Sequence, residues 1–157
     1  FFIQIITNIG GTSADMGNAV FVAAMLELPT MAFFTKMSEK INCGTLIKFS
    51  ILMFCVKHAL TYFATNMIMI YLAQVCQMFA YALFVPASVY YVNEKIAVAD
   101  RVKGQSLVTT SMTLSGVFAN FAGGIMLDAL GVGHVLLAGV ILSIVGAVIV
   151  ILTTEKV

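Results

Sequence analysis

Apolar residues run along this chain in long blocks, separated by short polar junctions. Met16–Phe34 is interrupted only by Glu27, and Leu46–Ala64 only by Lys48, Lys57 and His58. Met67–Val92 carries no charge. Gly104–Leu127 carries none either, although it is rich in Ser, Thr and Gly. Val135–Thr154 is an almost pure Ile/Val/Leu run with Gly139, Ser143, Gly146 and Ala147 set into it. A sixth block, Phe1–Ile9, is too short to span a membrane and ends in the turn signal Gly10-Gly11. A helix needs about 20 apolar residues to cross a bilayer, and a barrel strand about 9–11 in strict alternation. The five long blocks have the helical length and no alternation. Backbone polar groups in lipid must be satisfied within the segment, which leaves helix as the only structure for such runs. The expected fold is an all-α integral membrane bundle of one partial and five full transmembrane helices.

Composition closes the soluble alternatives. Apolar residues make up 61% and charged residues 10% of the 157, against about 25% charged in soluble domains. So few charges cannot wet a soluble surface. The net charge of +1 offers no field for nucleic acid. Cys43, Cys55 and Cys76 have no metal-ligand spacing and read as small membrane-buried hydrophobes. Phe1–Ala14 has neither an initiating Met nor a basic stretch ahead of its apolar run. It is therefore not a signal peptide, and it reads as the middle of a hydrophobic segment in a chain cut from something longer.

The junctions predict an orientation. Alternating the two faces of the membrane along the chain puts Lys36, Lys40, Lys48, Lys95, Arg101, Lys103 and Lys156 on one face and no Lys or Arg on the other. The basic face is expected to be cytoplasmic, with the C-terminus on it. No polar stretch is long enough for a soluble catalytic domain, so any function lies within the bilayer.

Several polar residues sit inside the apolar blocks. Glu27, followed closely by Pro29, is a mid-helix carboxylate. A charge at the bilayer centre costs roughly 2.5–3.5 kcal/mol on insertion scales. Glu27 is therefore expected to be either a neutral hydrogen-bonding group between helices or a carboxylate that binds substrate or proton. Lys57 lies about 16 Å into its block at 1.5 Å per residue, too deep to snorkel easily. It is expected to line a cavity or to form a structural pair, with Glu27 as the natural partner. His58 points about 100° away from Lys57 and reads as a packing histidine or a proton relay. Gln74, Gln77 and Tyr81 recur at i, i+3 and i+7, with Ser88 continuing the face. That stripe serves either as interhelical glue or as a substrate-facing surface. Ser111, Ser115, Ala119 and Gly123 form a ridge at i+4 spacing that predicts close helix packing, and Asn120 beside it is an amide that could face a cavity. No catalytic-nucleophile, zinc-protease or phosphate-loop motif occurs, and neither a cofactor nor an enzymatic activity is expected.

The order of motifs resembles the C-terminal half of a major facilitator superfamily transporter, from late in its seventh helix to its twelfth. The residues carrying the likeness are Glu27-Leu28-Pro29, the basic turn Lys36–Lys48, Val92-Asn93-Glu94, Asp100-Arg101-Val102-Lys103-Gly104-Gln105 and Gly123-Gly124-Ile125-Met126-Leu127-Asp128. Within the superfamily the chain is most similar to lactose-permease-type symporters. Glu27 matches that type's eighth-helix carboxylate. Lys57, with Phe63-Ala64-Thr65, matches its ninth-helix cation. Gln77 and Ala80 stand where that type carries the His and Glu of proton coupling.

The resemblance implies a secondary active transporter that moves a small solute by alternating access, with proton coupling one form of it. Its partners would be the lipid bilayer, a small-molecule solute and an N-terminal half supplying the other wall of the site, in a bacterial inner membrane. Glu27, Lys57, Gln74, Gln77, Tyr81 and Asn120 would be the solute- or ion-binding residues. The alternative is a non-transporting membrane scaffold whose buried polar residues only hold helices together.

Overall fold

The computed structural model of the chain describes residues 1–155; Lys156, counted above on the basic face, lies outside them. The chain is all-helical among these residues. α1 spans Phe2–Asn8, α2 Ser13–Ser38, α3 Cys43–Tyr62 and α4 Met67–Lys95. A 3-10 turn, Val98–Asp100, leads into α5, Arg101–Leu130, and α6 spans Val132–Thr153. The five longer helices are long and apolar enough to cross a membrane.

The five longer helices each run past one or both edges of their apolar blocks, and polar residues cap the starts of α2, α3 and α4. Thr12 and Asp15 form a capping box that starts α2, with the Asp15 carboxylate accepting the Thr12 N–H at 2.8 Å. Asn42 caps α3 by accepting the Thr45 N–H at 2.9 Å, and Asn66 caps α4 by accepting the Met69 N–H at 3.1 Å. The earlier start of α3 places Lys57 about 21 Å along the helix, deeper than the block alone suggested. Pro29 and Pro86 are absorbed within α2 and α4, and neither ends its helix.

α4 packs against both α2 and α3, α6 lies against α3, and α1 touches α2 and α6. The buried core gathers at the end of the bundle where α2 turns into α3. Phe34, Cys43, Leu46, Ile47, Leu83 and Ala87 pack there, with Met37, Phe84 and Val150 against them. The same end is tied across its surface: Lys95 at the end of α4 pairs with Glu155, whose backbone N–H donates to the Tyr91 hydroxyl at 3.3 Å. The hydrogen bond from Lys95, with its charge, holds the Glu155 carboxyl below its ordinary value.

α5 stands apart. It makes only thin contacts with α6 and α4, and Gly104 is its one buried residue. Ser111, Ser115 and Ala119 of the expected packing ridge are exposed. Only Gly123 meets a neighbour, the ring of Phe1. The ridge therefore makes no close helix-to-helix packing among the described residues: Ala119 and Gly123 border a cavity shared with α1, α3 and α6 instead. The connection from α5 to α6 is the single residue Gly131, at φ 80° and ψ 175°, a backbone region essentially reserved for glycine.

Candidate functional site

α2, α3 and α4 bring their polar residues together around one cavity of about 440 Å³. Glu27 reaches it from α2, Lys57, His58 and Thr61 from α3, and Gln74 and Gln77 from α4. Phe2, Ile5, Val20, Ala23, Ala24 and Leu136 form its apolar walls. The volume lies in the usual range for small-molecule sites, roughly 300–1,000 Å³. So does the character, since a few polar groups converge within an apolar lining.

Local helix geometry places each group. Lys57 and Thr61 stand one turn apart on α3, and the Thr61 hydroxyl donates to the Lys57 carbonyl at 2.9 Å. Gln74 and Gln77 are similarly one turn apart on α4, and Gln74 is 8% exposed. The Lys57 ammonium donates a hydrogen bond to the side-chain oxygen of Gln77. That bond takes the place expected for a direct pair with Glu27. Among the described residues the ion pairs are Lys95–Glu155 and Lys103–Asp100, both near helix ends. Glu27 and Lys57 thus share a cavity without closing into an ion pair. The physical reason is proximity: α3 and α4 form the most extensive interface of the bundle, so an α4 side chain reaches the ammonium before the α2 carboxylate does.

The remaining candidates lie elsewhere. Tyr81 continues the α4 stripe but is 40% exposed and is not in the cavity lining. Asn120 borders a second, more apolar cavity of about 350 Å³ between α1, α3, α5 and α6, and donates to the Gly116 carbonyl at 2.8 Å. His58 borders both cavities, its ring stacked on Phe54 and its Nδ1 bonded to the Phe54 carbonyl at 2.8 Å. A shallow polar groove of about 490 Å³ runs along the start of α5, lined by Asn93, Arg101, Gln105, Ser106, Thr109 and Thr110. It sits at the polar end of the spans, away from the membrane-depth charges. Sequence reasoning missed Thr61 and His58 as lining residues. The i+4 step from Lys57 would have found the first.

A family model for the Major Facilitator Superfamily matches residues 1–157. The chain belongs to the major facilitator superfamily. No curated protein and no solved structure matches it. Superfamily membership makes this an integral membrane protein of a secondary-transporter family, non-enzymatic in type, in agreement with five apolar spans in an all-helical bundle. In a major facilitator chain, a polar cavity walled by three spans is the natural place to look for solute contacts.

Proposed function

We propose that this chain is the C-terminal half of a secondary transporter that moves a small solute by alternating access, and that the Glu27–Lys57 cavity is one wall of its solute site. One observation carries the reading: charged and amide side chains from three separate helices converge on a single cavity of about 440 Å³ within the spans. Groups that serve only to hold helices together have no need of a cavity. Ser111 and Ser115, exposed on α5, fit a bundle that meets a second half there. Glu27 is the best candidate for binding or protonation, because Gln77 and Ala80 offer no titratable group on α4.

Uptake by the complete transporter chain in proteoliposomes, screened over a panel of labelled solutes, tests the reading. Glu27→Gln should reduce accumulation by roughly tenfold or more, the scale of one lost charge-assisted interaction. Unchanged uptake alongside normal expression would take Glu27 out of the site. If no solute accumulates with either protein, the scaffold reading is favoured. That reading has its own support in the Lys57–Gln77 bond, which joins α3 to α4.

The Lys/Arg distribution supports a cytoplasmic location for the Lys36–Lys48 and Glu94–Lys103 junctions and for the C-terminus, and the likeness to lactose-permease-type symporters supports a bacterial inner membrane. With cysteines placed singly at Ser38 and Asn66 in a background free of other cysteines, an impermeant thiol reagent added to whole cells should label only position 66. Labelling at position 38 instead would invert the topology.

A further inference from the structure

Two cations at helix ends are neutralised within the chain: Lys95 by Glu155 and Lys103 by Asp100. Lys57, far deeper, is held differently. Its hydrogen-bond acceptor is the Gln77 carboxamide, a neutral group. An ammonium carries three donors and a full charge. Gln77 uses one donor and fixes the position of the group, while Glu27, on the same cavity, makes no direct ion pair with it. A cation within a span that lacks a bonded counter-ion is costly, and this one borders a cavity large enough for a small molecule.

We propose that Lys57 is the recognition group for a solute carrying a single carboxylate, with Gln77 as its positioning residue. The inference rests on the transporter reading above and names the solute class for that same cavity. A carboxylate supplies the charge and the acceptors that the ammonium lacks. The rest of this wall favours one negative charge over two. Lys57 is the only Lys or Arg among the described residues that line it, and Glu27 borders the same space, where it would repel a second anionic group. The apolar walls, including Phe2, Val20 and Leu136, suit an uncharged remainder.

The test is thermal unfolding of the complete, purified transporter chain in the presence of matched probes. Lactate, benzoate and gluconate are each compared with the corresponding primary amide, with succinate as the dianion and lactose as a neutral sugar. At least one monocarboxylate should raise the midpoint by about 2 °C or more, and its amide should not. Lys57→Arg should keep the response and Lys57→Met should remove it. Gln77→Glu should also remove it, because a built-in carboxylate then occupies the ammonium. This last variant adds an ion pair, so it keeps the test decisive if Lys57→Met fails to fold.

Retention of the carboxylate response in Gln77→Glu would overturn the inference. So would stabilisation by lactose or an amide that persists in Lys57→Met, although the transporter reading would then stand. A response to no probe of any class would remove the cavity as a solute site, and this inference with it.

Discussion

Replacing Gln77 with leucine is expected to destabilise the bundle by about 1.5–3 kcal/mol, the range for a hydrogen bond to a charged group. The lower end is favoured, because Lys57 is only half-buried and borders a cavity that water can enter. The substitution leaves the Lys57 ammonium without the acceptor it has in the folded chain. Adding Lys57→Met should recover much of the loss, since the double variant strands no charge. A double-mutant cycle in reversible detergent unfolding would measure this directly. The Gln77–Lys57 coupling should exceed the Glu27–Lys57 coupling, because the first pair is bonded and the second shares only a cavity. A larger Glu27–Lys57 coupling would mean that the cation leans on the carboxylate instead.

Ile144→Arg should have a still larger effect. Ile144 lies near the middle of α6 and is 51% exposed, with no acidic residue anywhere on that helix. Arginine at the centre of a span costs roughly 2.5–3.5 kcal/mol on insertion scales, a factor of about 100 in the insertion equilibrium. Leu152→Arg is the control. Leu152 is 79% exposed but sits next to the last residue of α6, where a long side chain can snorkel to the interface. The amount of each variant in the washed membrane fraction is the readout. Equal yields for the two would show that depth along α6 does not matter, contrary to a spanning orientation.

The apolar blocks located every long helix, because burial in lipid demands both length and continuity, and both are visible in one dimension. The helix ends were less legible. Thr12, Asn42 and Asn66 lie outside the blocks and act through a backbone N–H three residues on, so hydropathy has no weight for them. Gln74 and Gln77 reach one cavity as their i, i+3 spacing implied. Glu27 and Lys57 share a cavity as expected, but Lys57 bonds directly to Gln77, for a different reason. Pairing by opposite charge ignores which helices are neighbours, and the closest packing is between α3 and α4. The ridge on α5 shows a similar limit: spacing reveals a surface suited to contact and says nothing of whether a helix lies against it.

The loose attachment of α5 has a mechanical consequence. When a stiff body and a soft one are loaded in series, most of the deformation goes into the soft one. α2, α3, α4 and α6 share extensive interfaces, and tilting any of them would break close packing. α5 buries only Gly104, and at the Gly131 link an added side-chain carbon would meet nothing within 4 Å. Strain imposed on this bundle therefore collects in the tilt of α5 about Gly131, while the geometry around Lys57 and Gln77 is carried along nearly unchanged.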